Sequence, residues 1–156
     1  MSAASPREFR SSGQPGFSTS VSSDPRHVEA RKFERKIQVR FTVVECTVQT
    51  LEGVVHAQPG DAILTGTGGE HWRVSKARFP HKYRPTPPTV MGMDGAYLSL
   101  RYRILALQMH ETFQVWLADG VSCLTGQPGD WLVDYGDGSL GVVAQPTFAT
   151  TYEILS

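Results

Sequence analysis

Residues 36–44 alternate between apolar and polar positions. Ile37, Val39, Phe41 and Val43 fall on one side, and Gln38, Arg40 and Thr42 on the other. That two-residue period predicts a half-buried strand. Leu51-Glu52-Gly53 predicts a hairpin tip leading into a short strand at 54–57. Pro59-Gly60-Asp61 predicts a tight turn, because proline presets φ and glycine accepts a positive one. A strand at 62–65, a turn at Gly66-Thr67-Gly68-Gly69 and a strand at 71–75 follow. Residues 76–80 predict one helical turn inserting Phe79, and Tyr83 opens a last short strand.

The same order returns downstream. Strands are predicted at 105–109 and 113–117, followed by a hairpin tip at Ala118-Asp119-Gly120 with its Asp-Gly signal. Strands at 131–134 and 140–144 come next, then a turn at 146–150 carrying Phe148 and a closing strand at 152–155. Gln58-Pro59-Gly60-Asp61 recurs as Gln127-Pro128-Gly129-Asp130, and the spacing holds for Gly69 and Gly138, Val74 and Val143, Phe79 and Phe148, and Tyr83 and Tyr152. Identities in register without a gap point to an internal repeat. Upstream the register slips. The second copy carries two extra residues before its Pro-Gly-Asp, and Ile37, Val39 and Phe41 align with Leu105, Leu107 and Met109 only after a one-residue shift.

The expected fold is therefore mainly β: two tandem small units, each of about five short strands and one helical turn, packed together behind a disordered N-terminal tail. The tail is placed at 1–27, because Phe9, Phe17 and Val21 are its only large apolar residues and cannot offset its ordering entropy. The first repeat is placed at 28–85, a linker rich in proline and glycine at 86–96, and the second repeat at 97–156. Units this small bury little surface alone, so they are expected to pack on each other or to be completed by an oligomer.

The chain has 156 residues and a net charge of zero. Residues 1–85 hold 13 Lys and Arg against 8 Asp and Glu, whereas 86–156 hold 2 against 7. Such a split suits docking between halves or stacking between molecules. No apolar run approaches the roughly 20 residues that span a bilayer, and the N-terminus lacks the apolar core of a secretory signal. Cys46 and Cys123 stand outside any zinc-ligand spacing and read as free thiols in a cytoplasmic protein. No metal or cofactor is expected.

Thr50-Leu51-Glu52-Gly53, Pro59 to Leu64, Gly69-Glu70, Phe79 and Tyr83 together resemble a pattern of short phage and bacterial proteins. The second copy resembles the PGDYG domain more closely, through Gly129 to Val133, Tyr135-Gly136, Gly141 to Val143 and Phe148 to Glu153. The name-giving segment falls at 137–141, where Asp137-Gly138-Ser139-Leu140-Gly141 keeps only its two glycines. The resemblance covers roughly 33–85 and 100–155. It implies a fold unit and a bacterial, phage or prophage origin, with no catalytic residue.

Glu70, His71, Trp72 and Arg73 form the densest polar-aromatic cluster, with His71 and Arg73 sharing a strand face that could hold an anion. Arg78, His81 and Lys82 extend it into a basic patch. Against this, an exposed strand face needs no ligand, and repeated aromatics such as Phe79 and Tyr83 belong to a core. Asp61 and Asp130 read as turn caps accepting backbone N–H groups. No Walker, GxSxG, HExxH or dinucleotide fingerprint is present. The leading expectation is a non-catalytic binding or interaction module with a protein partner or self-association. A structural component of a phage or similar assembly, which would place the chain in a virion, is the second. A small-molecule or nucleotide-binding enzyme is the third. Nucleic acid is the weaker partner, and no membrane is expected.

Overall fold

The computed structural model describes residues 6–12 and 21–155. In chain order the elements are β1 (Arg7–Arg10), β2 (Val28–Lys32), β3 (Lys36–Phe41), β4 (Cys46–Gln49), β5 (Val54–Ala57), β6 (Ala62–Thr65), β7 (His71–Val74), α1 (Phe79–Lys82) and β8 (Tyr83–Pro85). They continue with β9 (Gly95–Ser99), β10 (Arg103–Gln108), β11 (Phe113–Trp116), β12 (Cys123–Gly126), β13 (Trp131–Asp134), β14 (Leu140–Val143), α2 (Gln145–Thr151) and β15 (Tyr152–Ile154). The protein is mainly β.

The chain divides into a central unit, Lys32–Tyr102, and a flanking unit made of Met1–Arg31 with Arg103–Ser156. This differs from the division at 86–96 expected from the sequence. The central unit's sheet runs β7-β6-β3-β9-β8, and the flanking unit's sheet runs β14-β13-β10-β2-β15. The orders correspond one to one, but β2 and β9 do not pair with the strands that follow them in the chain. β2 precedes β3 yet pairs with β10, as Ile104 opposite Ala30. β9 precedes β10 yet pairs with β3, as Ile37 opposite Tyr97.

The central unit packs Ile37, Val39, Ala62, Leu64, Val74, Phe79, Tyr83 and Tyr97 into one cluster. Phe79 stacks on Tyr83 at 5.0 Å, and Phe41 and Tyr97 meet Phe79 edge-on at 5.1 and 5.0 Å. The hairpin β4–β5 covers the sheet's other face through Val48, Ala57 and Ile63. In the flanking unit Phe148 stacks between Trp131 at 4.1 Å and Tyr152 at 5.1 Å. Its other face carries a larger cluster that includes Phe9, Val21, Leu107, Met109, Phe113, Val115 and Leu132.

Three local expectations change. Residues 86–96 are not a plain linker. Tyr97 Oη accepts the Gly92 N–H at 3.0 Å and lies 2.7 Å from the Met93 carbonyl, and Asp94 Oδ1 accepts the Phe41 N–H at 2.8 Å. The segment ends in β9 because Gly95 and Ala96 already belong to that strand. The tail at 1–27 is ordered where it is described: β1 pairs in parallel with β11, and Phe9 and Val21 are buried. These isolated apolar residues enter a core supplied by distant strands, which local composition does not register. Residues 13–20 lie outside the described residues. Finally, β3 ends at Phe41, and Val43 is 85% exposed, because the chain leaves the sheet at Thr42, whose peptide bonds Asp61 and Gly60.

Candidate functional site

The Pro-Gly-Asp turn fixes the geometry around the sequence-nominated residues. Asp61 Oδ2 accepts the Gln58 N–H and Oδ1 the Lys76 N–H, each at 2.9 Å. Asp130 does the same with Gln127 at 2.9 Å and Gln145 at 3.0 Å. Each carboxylate thereby closes its own turn and ties it to the residue that follows the last strand before the helix. Gly60 and Gly129 take positive φ values of 92° and 97° in these turns, where an L side chain is strained. A Cβ at Gly60 would also press on Lys76 Cδ at 2.9 Å.

Arg73 projects from β7 onto this turn. Its Nη1 lies 3.5 Å from Asp61 Oδ2 and donates to the His56 carbonyl at 2.9 Å. The guanidinium is thus committed to holding the turn against the β4–β5 hairpin. His71, two residues away on the same face, is exposed, with Nδ1 3.0 Å from Thr65 Oγ1. Trp72 points to the opposite face and packs against the Phe79 cluster. Glu70 folds its carboxylate over the glycine turn, where a Cβ at Gly68 would meet Oε2 at 2.7 Å. Gly69 takes a φ of 79°, which favours glycine in this turn whether or not a ligand is bound.

The basic patch disperses in the same way. Lys82 is buried, with Nζ 4.2 Å from the Tyr102 ring centre. Lys32, a residue of the charge run at 31–36, is also buried and donates to Tyr83 Oη at 2.9 Å. Arg78 begins the helical turn, with its N–H bonded to the Ser75 carbonyl, and His81 is exposed. Arg84 pairs with Glu34 at 3.3 Å. Of the residues nominated from the sequence, Arg73 and Lys82 thus make scaffold contacts, Trp72 packs in the core, and His71 and His81 are exposed.

Among the described residues, no group of three His, Cys, Asp or Glu side chains is placed to hold a metal ion. A shallow recess of about 210 Å³ opens in the flanking unit beside Glu29, Arg103 and Asp134. Glu29 and Arg103 pair across it at 2.8 Å, and the volume falls below that of ordinary small-molecule sites. Burial and the nearby Glu8 carboxylate push the Cys123 thiol above its ordinary pKa, which disfavours the reactive thiolate.

What the sequence reasoning missed is apolar and exposed. Phe33, Val43, Val44, Leu51, Val54, Val90, Met91 and Met93 all project from the central unit. The flanking unit exposes only Val121 and Ile154 as large apolar residues among those described. Val43 and Val44 were hidden by an alternation that reads on past the end of β3. Val90 and Met91 were hidden inside a segment read as a linker.

This is a mainly-β protein with two similarly ordered five-stranded sheets among the described residues. The sequence model of the PGDYG protein family matches residues 53–153, and the chain belongs to that family. The match is continuous from β5 to β15, and so takes in β9 and the segment before it. No curated protein and no solved structure matches the chain. No helix among the described residues is long and apolar enough to cross a membrane.

Proposed function

We propose that the chain is a non-catalytic interaction module, built by tandem duplication of one β unit and of bacterial or phage origin. Duplication is supported by matching sheet orders and by the paired bonding of Asp61 and Asp130. The interaction reading rests on one observation: eight of the ten exposed large apolar residues among those described belong to the central unit. Val43 with Val44, and Val90 with Met91, are exposed neighbours in the chain, and contiguous apolar surface of this kind marks a face that is covered in use.

Photo-crosslinking tests this directly. A photoreactive residue is placed at Val44, Met91 or Val121 of the full chain and irradiated in a bacterial lysate. Discrete adducts from positions 44 and 91, and none from 121, are the expected result. Equal labelling from all three positions would overturn the assignment. Light scattering separates the competing assembly role: mass that rises stepwise with concentration, through adducts of the chain with itself, would favour a structural component.

A further inference from the structure

The two hairpins differ in how their outer edges are covered. In the flanking unit β1 lies parallel on β11, with Phe9 opposite Val115 and Ser11 N–H bonded to the Trp116 carbonyl at 2.8 Å. The corresponding strand of the central unit is β4, in which Cys46, Thr47, Val48 and Gln49 take the places of Phe113, Gln114, Val115 and Trp116. Among the described residues β4 pairs only with β5. Thr47 and Gln49 are exposed. Ladder alternation turns their peptide groups outward, since the equivalent strand uses those of Gln114 and Trp116 to hold β1.

An open edge is normally blunted with charge, proline or a bulge. β4 has none of these: its sequence is Cys-Thr-Val-Gln. Exposed Glu45 precedes it, and around it Val43, Val44, Leu51 and Val54 are 85, 62, 67 and 49% exposed. The core cluster beneath it is also smaller, made of Val48, Ala57 and Ile63. The flanking cluster gains Phe9 from its added strand.

We propose that the outer edge of β4 is a docking site for an extended, uncharged segment of a partner protein, added in parallel as β1 adds to β11. This rests on the interaction-module reading and names its partner chemistry. The charge preference follows from the replaced contacts. On β11 the arm is held by Arg7 with Glu111 at 3.4 Å, by Glu8 with Trp116 Nε1 at 3.2 Å and by Arg10 over the Trp116 ring at 5.4 Å. The counterparts of Glu111 and Trp116 are Val44 and Gln49, which offer neither a carboxylate nor an indole, and Glu45 takes the place of Thr112. A segment here gains from main-chain bonds and an apolar side chain beside Cys46 and Val48, whereas charged flanks lose their partners.

The probe is a peptide of residues 6–12 carrying Arg7→Val, Glu8→Thr and Arg10→Thr, titrated into the full ¹⁵N-labelled chain. The expected result is saturable shifts confined to Val44, Thr47, Gln49 and their neighbours. Affinity should fall about tenfold or more when the peptide's Phe is N-methylated, or when the protein carries Thr47→Pro. Thr47 N–H faces away from β5, so that substitution leaves the hairpin ladder intact, and the N-methylated peptide removes a second bond of the same edge, donated by the peptide's Phe N–H, without altering the protein. The proposal is overturned by shifts centred on β11, by equal binding of the N-methylated peptide, or by no shifts at about 1 mM peptide. Crosslinks from position 44 alongside a failed titration would leave the module reading standing and remove this site.

Discussion

Phe79 in the central unit and Phe148 in the flanking unit hold the same place between sheet and helix, yet their neighbours are exchanged in kind. Around Phe148 the bulk comes from Trp131, while Gln108 and Ala30 stand where the central unit has Phe41 and Tyr97. Around Phe79 the place of Trp131 is taken by Ala62, and the bulk comes from Phe41 and Tyr97. Each core fills its volume once, from opposite sides of the central ring. Packing constrains the sum of neighbouring volumes more tightly than any single position.

That comparison can be broken most forcefully at the shared ring. Phe79→Ala and Phe148→Ala should each cost about 3–5 kcal/mol in chemical denaturation, since both rings are buried. A loss below about 1 kcal/mol at either position would show that the two rings do not play one part. The turn aspartates sharpen the contrast on a smaller scale. Asp61→Ala removes two backbone bonds and the Arg73 partner, whereas Asp130→Ala removes two backbone bonds. We expect about 3 kcal/mol for the first and about 2 kcal/mol for the second, with the order of the two as the test. Tyr97→Phe should cost about 1–2 kcal/mol and raise amide exchange at Gly92, which donates to its hydroxyl. The flanking unit has Ala30 at that position and should show no matching response.

The smallest effect lies in acid. Hydrogen bonds from the Arg26 side chain, then its backbone N–H, hold the Asp24 carboxyl down at about 2, below its ordinary 3.8. A depressed folded value means the contribution is present above the unfolded value and is lost as pH falls toward 2. Asp24→Asn should therefore flatten a slight loss of stability between about pH 4 and pH 2. A carboxyl ¹³C titration of Asp24 with its midpoint near the ordinary value would contradict that contact.

How far the sequence reaches follows from where the information is local. The Pro-Gly-Asp turns, the alternation of β3 and the repeated Phe and Tyr are readable, because each depends on neighbours in the chain. The register of β10 was misread for a physical reason. Ile104 and Ala106 face the Phe148 side, but Leu107 and Met109 are buried on the other, so its apolar pattern fits two registers. Matching Ile37 to Leu105 selected the face that packs on the hairpin, whereas the sheet pairs Ile104 where the central unit pairs Ile37. β2 and β9 were overlooked as strands because Val-Glu-Ala-Arg-Lys and Gly-Ala-Tyr-Leu-Ser are short and carry few large apolar residues. Their pairing is non-local, and no signal in either segment specifies the partner. The candidate ligand cluster misled for the converse reason. Arg73 looks available along the strand, and only the fold brings Asp61 and the His56 carbonyl to it.

The arrangement of both sheets turns on which strands β2 and β9 pair with. Cross-strand backbone NOEs in the full labelled chain decide it. The fold requires contacts between Ala30 and Ile104 and between Tyr97 and Ile37. Contacts of β2 with β3 and of β9 with β10 in their place would contradict the exchange of leading strands.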